Sequence, residues 1–416
     1  MHSITTRKWI RAVFAAVLTA VLMLQTLVPA RAATMTVEEA MDGAAKWMIA
    51  QDDSPAYSTD NCWYIMDMAR IGTDVPEGYF GDFESSVIAV LDANGGKLPG
   101  VGRKLTEYSK LILTLTSIGV DARNVDGVDL FSFISDVATV SKQGNNGPMW
   151  ALLAYNSHPN YDNPETEQAL LDAVINAQLA DGGWTLNNDL SKVGDSDMTG
   201  MALYALAPYY HQNDAATAAI DRGLEWASAN QNEDGGYSTM GNATCESTAQ
   251  IVMALSSLGV DCATDARFIK NGSSALDALL SYYVAQDGQG GFAHTNSDID
   301  DGSGTAAGEI NYMATYQAVY ALNAYQRMQA GQNNFFDMSD VTLPEPAYTL
   351  GDVDGESGIN ASDALMALRH SVQEISLEGN QFLAADVDTN GQVNASDALQ
   401  ILRYSVKEID AFIPAV

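Results

Sequence analysis

The chain has 416 residues, with 53 Asp plus Glu against 20 Lys plus Arg and a formal net charge of −33. That length exceeds a single compact core and calls for two or three parts. A surface this acidic repels phosphate backbones and anionic headgroups, which excludes nucleic acid and membrane surfaces as partners and favours cations, calcium included.

The opening "MHSITTRKWIRAVFAAVLTAVLMLQTLVPARAA" has a basic start (Arg7, Lys8, Arg11), an apolar run from Ala12 to Val28 and the small triplet Ala30-Arg31-Ala32. This is the layout of a secretory signal peptide over 1–32, cut after Ala32 or Ala33. Cleavage removes four basic residues and no acidic one, taking the net charge from −33 to −37. The mature chain is therefore expected to be secreted and extracellular. No later segment is long and apolar enough to span a bilayer. Three cysteines, Cys62, Cys245 and Cys262, are too few for a disulfide scaffold. Cys245 and Cys262 flank a predicted helix that holds them about 20 Å apart, which rules out a direct bridge between them; a Cys62–Cys245 pairing stays open but is not the expected state.

The body repeats. "AQLADGGWTL" (177–186), "NQNEDGGYST" (230–239) and "AQDGQGGFAH" (285–294) share Gln, Gly-Gly and then an aromatic. Each lies between two stretches with apolar residues at i, i+3, i+4 and i+7, the helical period. Weaker copies upstream bring the expected count to six helix pairs between residues 35 and 328, and no stretch in that span alternates like a strand. The glycines are expected to turn the chain at helix ends, Gln to bond helix-end groups, and Trp184, Tyr237 and Phe292 to pack on the neighbouring pair. Trp63 and Trp150, on apolar helix faces, are read as core.

Registering the second helices of the pairs on their Ala-Leu dipeptides aligns Thr199, Thr248 and Thr315. Asp197 and Glu246 stand two residues before the first two, Asp195 precedes them in "GDSDMTG", and Glu309 opens the last helix. As helix starts these acids are ordinary N-caps. Confined together, one of them can have a raised pKa and serve as general acid or base. Asp197, Asp195 and Glu246 are therefore the candidate catalytic residues.

The repeated Gln, Asp-Gly-Gly-aromatic and inner helix resemble the QW repeats of terpenoid cyclases and protein prenyltransferases. The resemblance covers roughly 33–330 and implies an all-α, six-hairpin α/α toroid with inner and outer helix rings. "DSDMT" is similar to the acid motif of squalene-type cyclases at Asp195, Asp197 and Thr199, but Met198 stands in place of the last acid. The late inner helices lack the His of the prenyltransferase zinc site. Such toroids also occur in cobalamin carriers. A bound glycan or small apolar ligand, a glycan hydrolase or lyase using Asp197 and Glu246, and a cobalamin-carrier-like or isoprenoid-cyclase-like toroid all remain open.

A polar stretch with Pro-Glu-Pro, 331–350, reads as a linker. Beyond it "DVDGESGINASDALMALRHS" and "DVDTNGQVNASDALQILRYS" state nearly the same thing twice. In each copy oxygen-bearing residues fall at loop positions one, three, five, seven (backbone), nine and twelve, the EF-hand spacing that wraps one hard cation. The expected calcium ligands are Asp352, Asp354, Glu356, Gly358, Asn360 and Asp363 in the first loop. The second has Asp386, Asp388, Asn390, Gln392, Asn394 and Asp397. Glu356 is longer than usual and Ser357 takes the place where Gly eases the turn, so the first site is expected to be weaker. Two such loop–helix units resemble a type I dockerin over 351–412. That resemblance implies two calcium ions, a scaffoldin cohesin as partner, cellulosomal anchoring in polysaccharide catabolism, and recognition through Ala361, Ser362, Arg369, Ala395, Ser396 and Arg403.

Overall fold

The computed structural model describes residues 35–187, 189, 192–298, 305–344, 348–356 and 358–413. The expected signal peptide and Ser357 lie outside the described residues.

The body is a ring of six helix pairs. α1 (Val37–Gln51) pairs with α2 (Thr59–Ile71), and α3 (Tyr79–Ala93) with α4 (Thr106–Ser117). A 3₁₀ turn (Leu130–Phe133) and short α5 (Val137–Val140) precede α6 (Asn146–Tyr155). α7 (Pro164–Asn176) leads to α8 (Ser196–Leu206), α9 (Asp214–Ala229) to α10 (Cys245–Ser257), and α11 (Ala275–Leu280) to α12 (Tyr312–Gln329). The even-numbered helices form the inner ring: each packs on the next, and α12 closes onto α2. α10 is buried from Cys245 to Ser256 on every face, which only a helix enclosed by others tolerates. Their starts are set locally: Ser58, Asp195, Thr244 and Asn311 each accept a main-chain N–H of the first turn, which stabilises a helix by about 1 kcal/mol.

The repeat signature has a defined job. In the first copy Gln178 donates to the carbonyls of Gly182 and, across the pair, Ala219, both at 2.8 Å. Asp181 accepts the Gly183 N–H at 3.0 Å, and Gly182 turns the chain at φ 96°, where a Cβ would meet the Arg222 carbonyl at 2.7 Å. Gln231 and Asp234 repeat these bonds in the second copy. Trp184, Tyr237 and Phe292 are fully buried. The three aligned threonines each accept the N–H of the repeat aromatic: Thr199 from Trp184 at 3.0 Å, Thr248 from Tyr237 at 3.1 Å and Thr315 from Phe292 at 3.0 Å.

Aromatic rings occupy the middle of the ring. Trp63 stacks on Tyr316 with centroids 5.2 Å apart and meets Trp150 edge-on at 5.2 Å. Both tryptophans are core, as expected. At the C-terminal end of the inner helices a strap follows α12. Phe336 sits against Trp150, Tyr204 and Tyr320, and Phe335 and Met338 are fully buried.

Two expectations need correction. The span is not free of strands: β1 (Ser238–Thr239) pairs with β2 (Asn242–Ala243), β3 (Ile269–Lys270) with β4 (Ser273–Ser274), and β5 (Tyr283–Gln286) with β6 (Gln289–Phe292). The last replaces the end of a predicted outer helix, because Asp287 and Gly288 both take positive φ (48° and 81°) and form the two-residue turn that suits a twisted hairpin. The expected linker is occupied from its start, since Phe335, Phe336 and Met338 belong to the ring's core. All three cysteines are buried free thiols, so Cys62 and Cys245 are not bridged.

The C-terminal module holds α13 (Ala361–Ser371), α14 (Gly379–Ala385) and α15 (Ala395–Ser405). α13 and α15 pack together over a small core in which Val353, Ala364 and Ala367 are matched by Val387, Ala398 and Ile401 of the second copy. Gln400 exchanges two hydrogen bonds with the main chain of Ile413, and Phe412 stacks on Tyr404.

Candidate functional site

The N-terminal turns of α8 and α10 bring two of the predicted acids into one cluster. Asp197 accepts a hydrogen bond from the Ser247 hydroxyl at 2.7 Å. Glu246 is buried, and its Oε2 lies 2.8 Å from Nδ1 of His294 while its Oε1 has no partner among the described residues. Burial chiefly, then the charges of Asp195 and Glu246, push Asp197 up to about 7, against the Ser247 bond and His294. A carboxyl that keeps its proton near neutrality can donate it. Asp195 is engaged differently: it caps α8 by accepting the N–H groups of Asp197 and Met198, and it accepts the Thr239 hydroxyl at 2.5 Å. Glu309, exposed, accepts the Ala306 N–H at 3.2 Å and stays outside this cluster. His294 was missed in the sequence, where it is one histidine two residues past the Phe292 of the third repeat. The Cys245 N–H bonds its carbonyl at 2.9 Å, which ties it to the start of α10.

The C-terminal module places carboxylate oxygens of Asp352, Asp354 and Asp363 within 4.8 Å of one another, and does the same for Asp386, Asp388 and Asp397. Oxygens at 2.3–2.6 Å from one calcium ion are separated by about this much. The position-twelve acids also start the following helices. Asp363 Oδ2 accepts the Asn360 N–H, and Asp397 Oδ2 the Asn394 N–H, each at 2.8 Å. Asn360 and Asn394 answer by accepting from Ser362 and Ser396 at 2.7 Å, a capping box in each copy. Burial first, then Asp397 and Asp388, push Asp386 up to about 7, the strain a bound cation relieves. Of the other expected ligands, Asn390 accepts the Gln392 N–H at 2.9 Å and Asn360 donates to the Gly358 carbonyl at 3.0 Å. Glu356 stands outside the first triad.

Residues 350–404 match the dockerin type I domain family. The C-terminal region carries a type I dockerin domain. Its helices α13 and α15 are near copies. In the dockerin, Ala361-Ser362 and Ala395-Ser396 open α13 and α15 and are exposed. Arg369 and Arg403 near the other ends pair with Glu374 and Glu408, each at 3.0 Å. Leu365 and Leu368 on α13 with its C-cap Val372, and Leu399 and Leu402 on α15 with its C-cap Val406, are exposed apolar side chains at the same positions of the repeat.

No curated protein matches the chain in sequence. Among solved structures the chain is similar to a mutant of unsaturated glucuronyl hydrolase from Streptococcus agalactiae, at 13% identity and TM-score 0.50, covering 72% of this chain and 92% of that one. At that identity the likeness speaks for the shared α/α toroid. A glycosyl hydrolase family 88 protein from Bacteroides vulgatus is similar at 12% identity and TM-score 0.46, covering 70% and 98%. The ent-copalyl diphosphate synthase from Streptomyces platensis follows at 18% identity and TM-score 0.41, covering 66% and 50%, so this chain spans half of that protein's length.

Proposed function

We propose that this protein is an extracellular subunit of a cellulosome-type assembly, held on a scaffoldin cohesin by its calcium-loaded dockerin, with the toroid as its working part. The observation that carries the reading is the duplication of the C-terminal module in three dimensions: the same acid triad, capping box, Arg–Glu pair and exposed apolar residues occur twice. Two calcium ions bind, through the two triads together with the Asn and main-chain oxygens between them. Either helix presents an Ala-Ser pair and an Arg, so the domain offers two equivalent faces. Titration calorimetry of the full chain against a panel of type I cohesins tests this. Binding is expected in calcium and absent in excess chelator, and binding that survives the chelator removes the proposal.

The toroid is proposed to take a glycan at the mouth where Asp197, Glu246 and His294 meet. Turnover of that glycan is favoured by one feature: Asp197 is buried to a pKa of about 7 beside a second acid oriented by a histidine. Asp197 is the general acid in this reading, Glu246 the base, and Asp195 a structural cap. Assaying polysaccharides and unsaturated oligosaccharides with the wild type and Asp197→Asn separates turnover from binding. Product that disappears with Asp197→Asn supports turnover, and retention of ligand without product leaves a binding toroid.

A further inference from the structure

Among its described residues the toroid exposes four large apolar side chains, Leu186, Val193, Met240 and Met313, and all four belong to the mouth that holds Asp197 and Glu246. We propose that this rim receives an aromatic aglycone, so that the glycan taken at the mouth is a neutral glycoside of an aromatic alcohol. The inference rests on the glycan reading above and adds what the sugar is attached to.

The chain gathers the four side chains at one end of the inner ring. Leu186 lies beside the start of α6, where its carbonyl accepts the Asn145 N–H at 2.9 Å. Val193 stands two residues before Asp195, the cap of α8. Met240 tips the β1–β2 hairpin that leads into α10. That hairpin is tied to the start of α8 by the Ser196 hydroxyl on the Ser238 carbonyl at 2.9 Å and by the Thr239 hydroxyl on Asp195. Met313 is the second residue of α12. Four consecutive inner helices thus each have one exposed apolar side chain at the end where the acids lie.

Met240 is held there at a cost. Its φ is 50° and that of Gly241 is 86°, the two-residue turn that favours Asn-Gly or Asp-Gly. The sister hairpins comply, with Asn271-Gly272 between β3 and β4 and Asp287-Gly288 between β5 and β6. A bulky side chain in this conformation is an outlier, and at 97% exposure no packing within the chain accounts for it. Strain of this kind collects at ligand clamps.

The chemistry selects the ligand. No aromatic ring is among the exposed large side chains, so the rim offers no platform for stacking a second sugar. Its two methionines instead present polarizable thioethers, which favour aromatic partners and adapt to their outline. Below them Glu246 is 6% exposed and its Oε1 has no partner among the described residues, a place for a sugar hydroxyl. The acids there favour a neutral sugar over an anionic one. In the proposed reaction the anomeric C–O bond breaks and the Asp197 proton passes to the departing oxygen. Water adds to the anomeric carbon and gives its proton to Glu246. The leaving group therefore belongs on the Asp197 side, where Val193 and Met240 stand.

The test is titration calorimetry of the calcium-loaded full chain with phenyl and methyl 1-thioglycosides of glucose, xylose and galactose in both anomers, which resist hydrolysis. For any sugar bound, the phenyl compound is expected to bind at least about tenfold more tightly than the methyl one. Met240→Asn gives the turn its favoured residue, and is expected to raise the melting temperature while bringing that ratio within about threefold. Met313→Gln is expected to lower the ratio without the gain in stability. A ratio near one in the wild type, or one unchanged in both variants, overturns the proposal and leaves the glycan reading standing. Binding of xylo- or cello-oligosaccharides with no phenyl glycoside bound does the same. Absence of heat from every glycoside and oligosaccharide at about 10 mM, the weak end of specific binding, overturns the glycan reading itself.

Discussion

Arg70 and Asp340 are separated by 270 positions in the sequence and by 2.8 Å in the folded chain. The same carboxylate accepts from Arg327 at 2.6 Å, so one acid bridges two largely buried guanidiniums and pins the strap beneath the ring. Burial opposes this, but the two arginines hold Asp340 down to about 2. Its contribution is then present above the ordinary Asp value of about 4 and is lost as pH falls toward 2. Asp340→Asn is expected to lower stability by about 1–2 kcal/mol at pH 7, a figure discounted because Asp340 is partly exposed. Denaturant unfolding of both proteins at pH 7 and pH 3 checks it: the difference between them must shrink at the lower pH.

The threonine bonds predict a graded series. Thr248→Ala leaves the buried Tyr237 N–H without an acceptor and is expected to cost about 1–3 kcal/mol. Thr248→Ser keeps the oxygen and should cost clearly less. Equal losses for the two would mean that the methyl group, and not the hydroxyl, matters at this position.

Asp197 acts on stability in the opposite sense to Asp340. With its folded pKa raised to about 7, the folded state holds a proton that the unfolded chain releases near pH 4. Stability therefore falls as pH rises from about 4 through 7. Asp197→Asn is expected to flatten that slope and to gain about 1–2 kcal/mol at pH 8 after allowance for partial exposure. A pH series of thermal melts, showing the wild-type slope unchanged in the variant, would contradict it.

For calcium, Asp397→Asn is the informative change in the dockerin, because an amide oxygen can still accept the Asn394 N–H while the charge on the metal is lost. Calcium affinity of the second loop is expected to fall at least tenfold, roughly 1.4 kcal/mol or more. The α15 helix should recover at high calcium. Circular dichroism during a calcium titration reads both effects.

Much of this was legible in the sequence because its causes are local. The Gln, Gly-Gly and aromatic positions repeat because each repeat closes its own turn, and the threonines align because each serves its own aromatic. The acid spacing of the C-terminal loops is set by one ion's radius. The Asp287-Gly288 hairpin was not read, because the stretch before it carries the helical period of the sister repeats. His294 and the Arg70–Asp340–Arg327 cluster were not legible. No residue within a turn of them announces the partner, and only the closed ring brings the segments together.

Ring closure carries a consequence for synthesis. Trp63 emerges early, yet its stacking partner Tyr316 is made some 250 residues later, at a usual rate of about 5–20 residues per second. For many seconds the growing chain must expose the apolar edges of α2 and α10 that α12 will eventually cover. A nascent toroid is thus a horseshoe with two sticky ends, and its vulnerable period ends only when the final inner helix drops in.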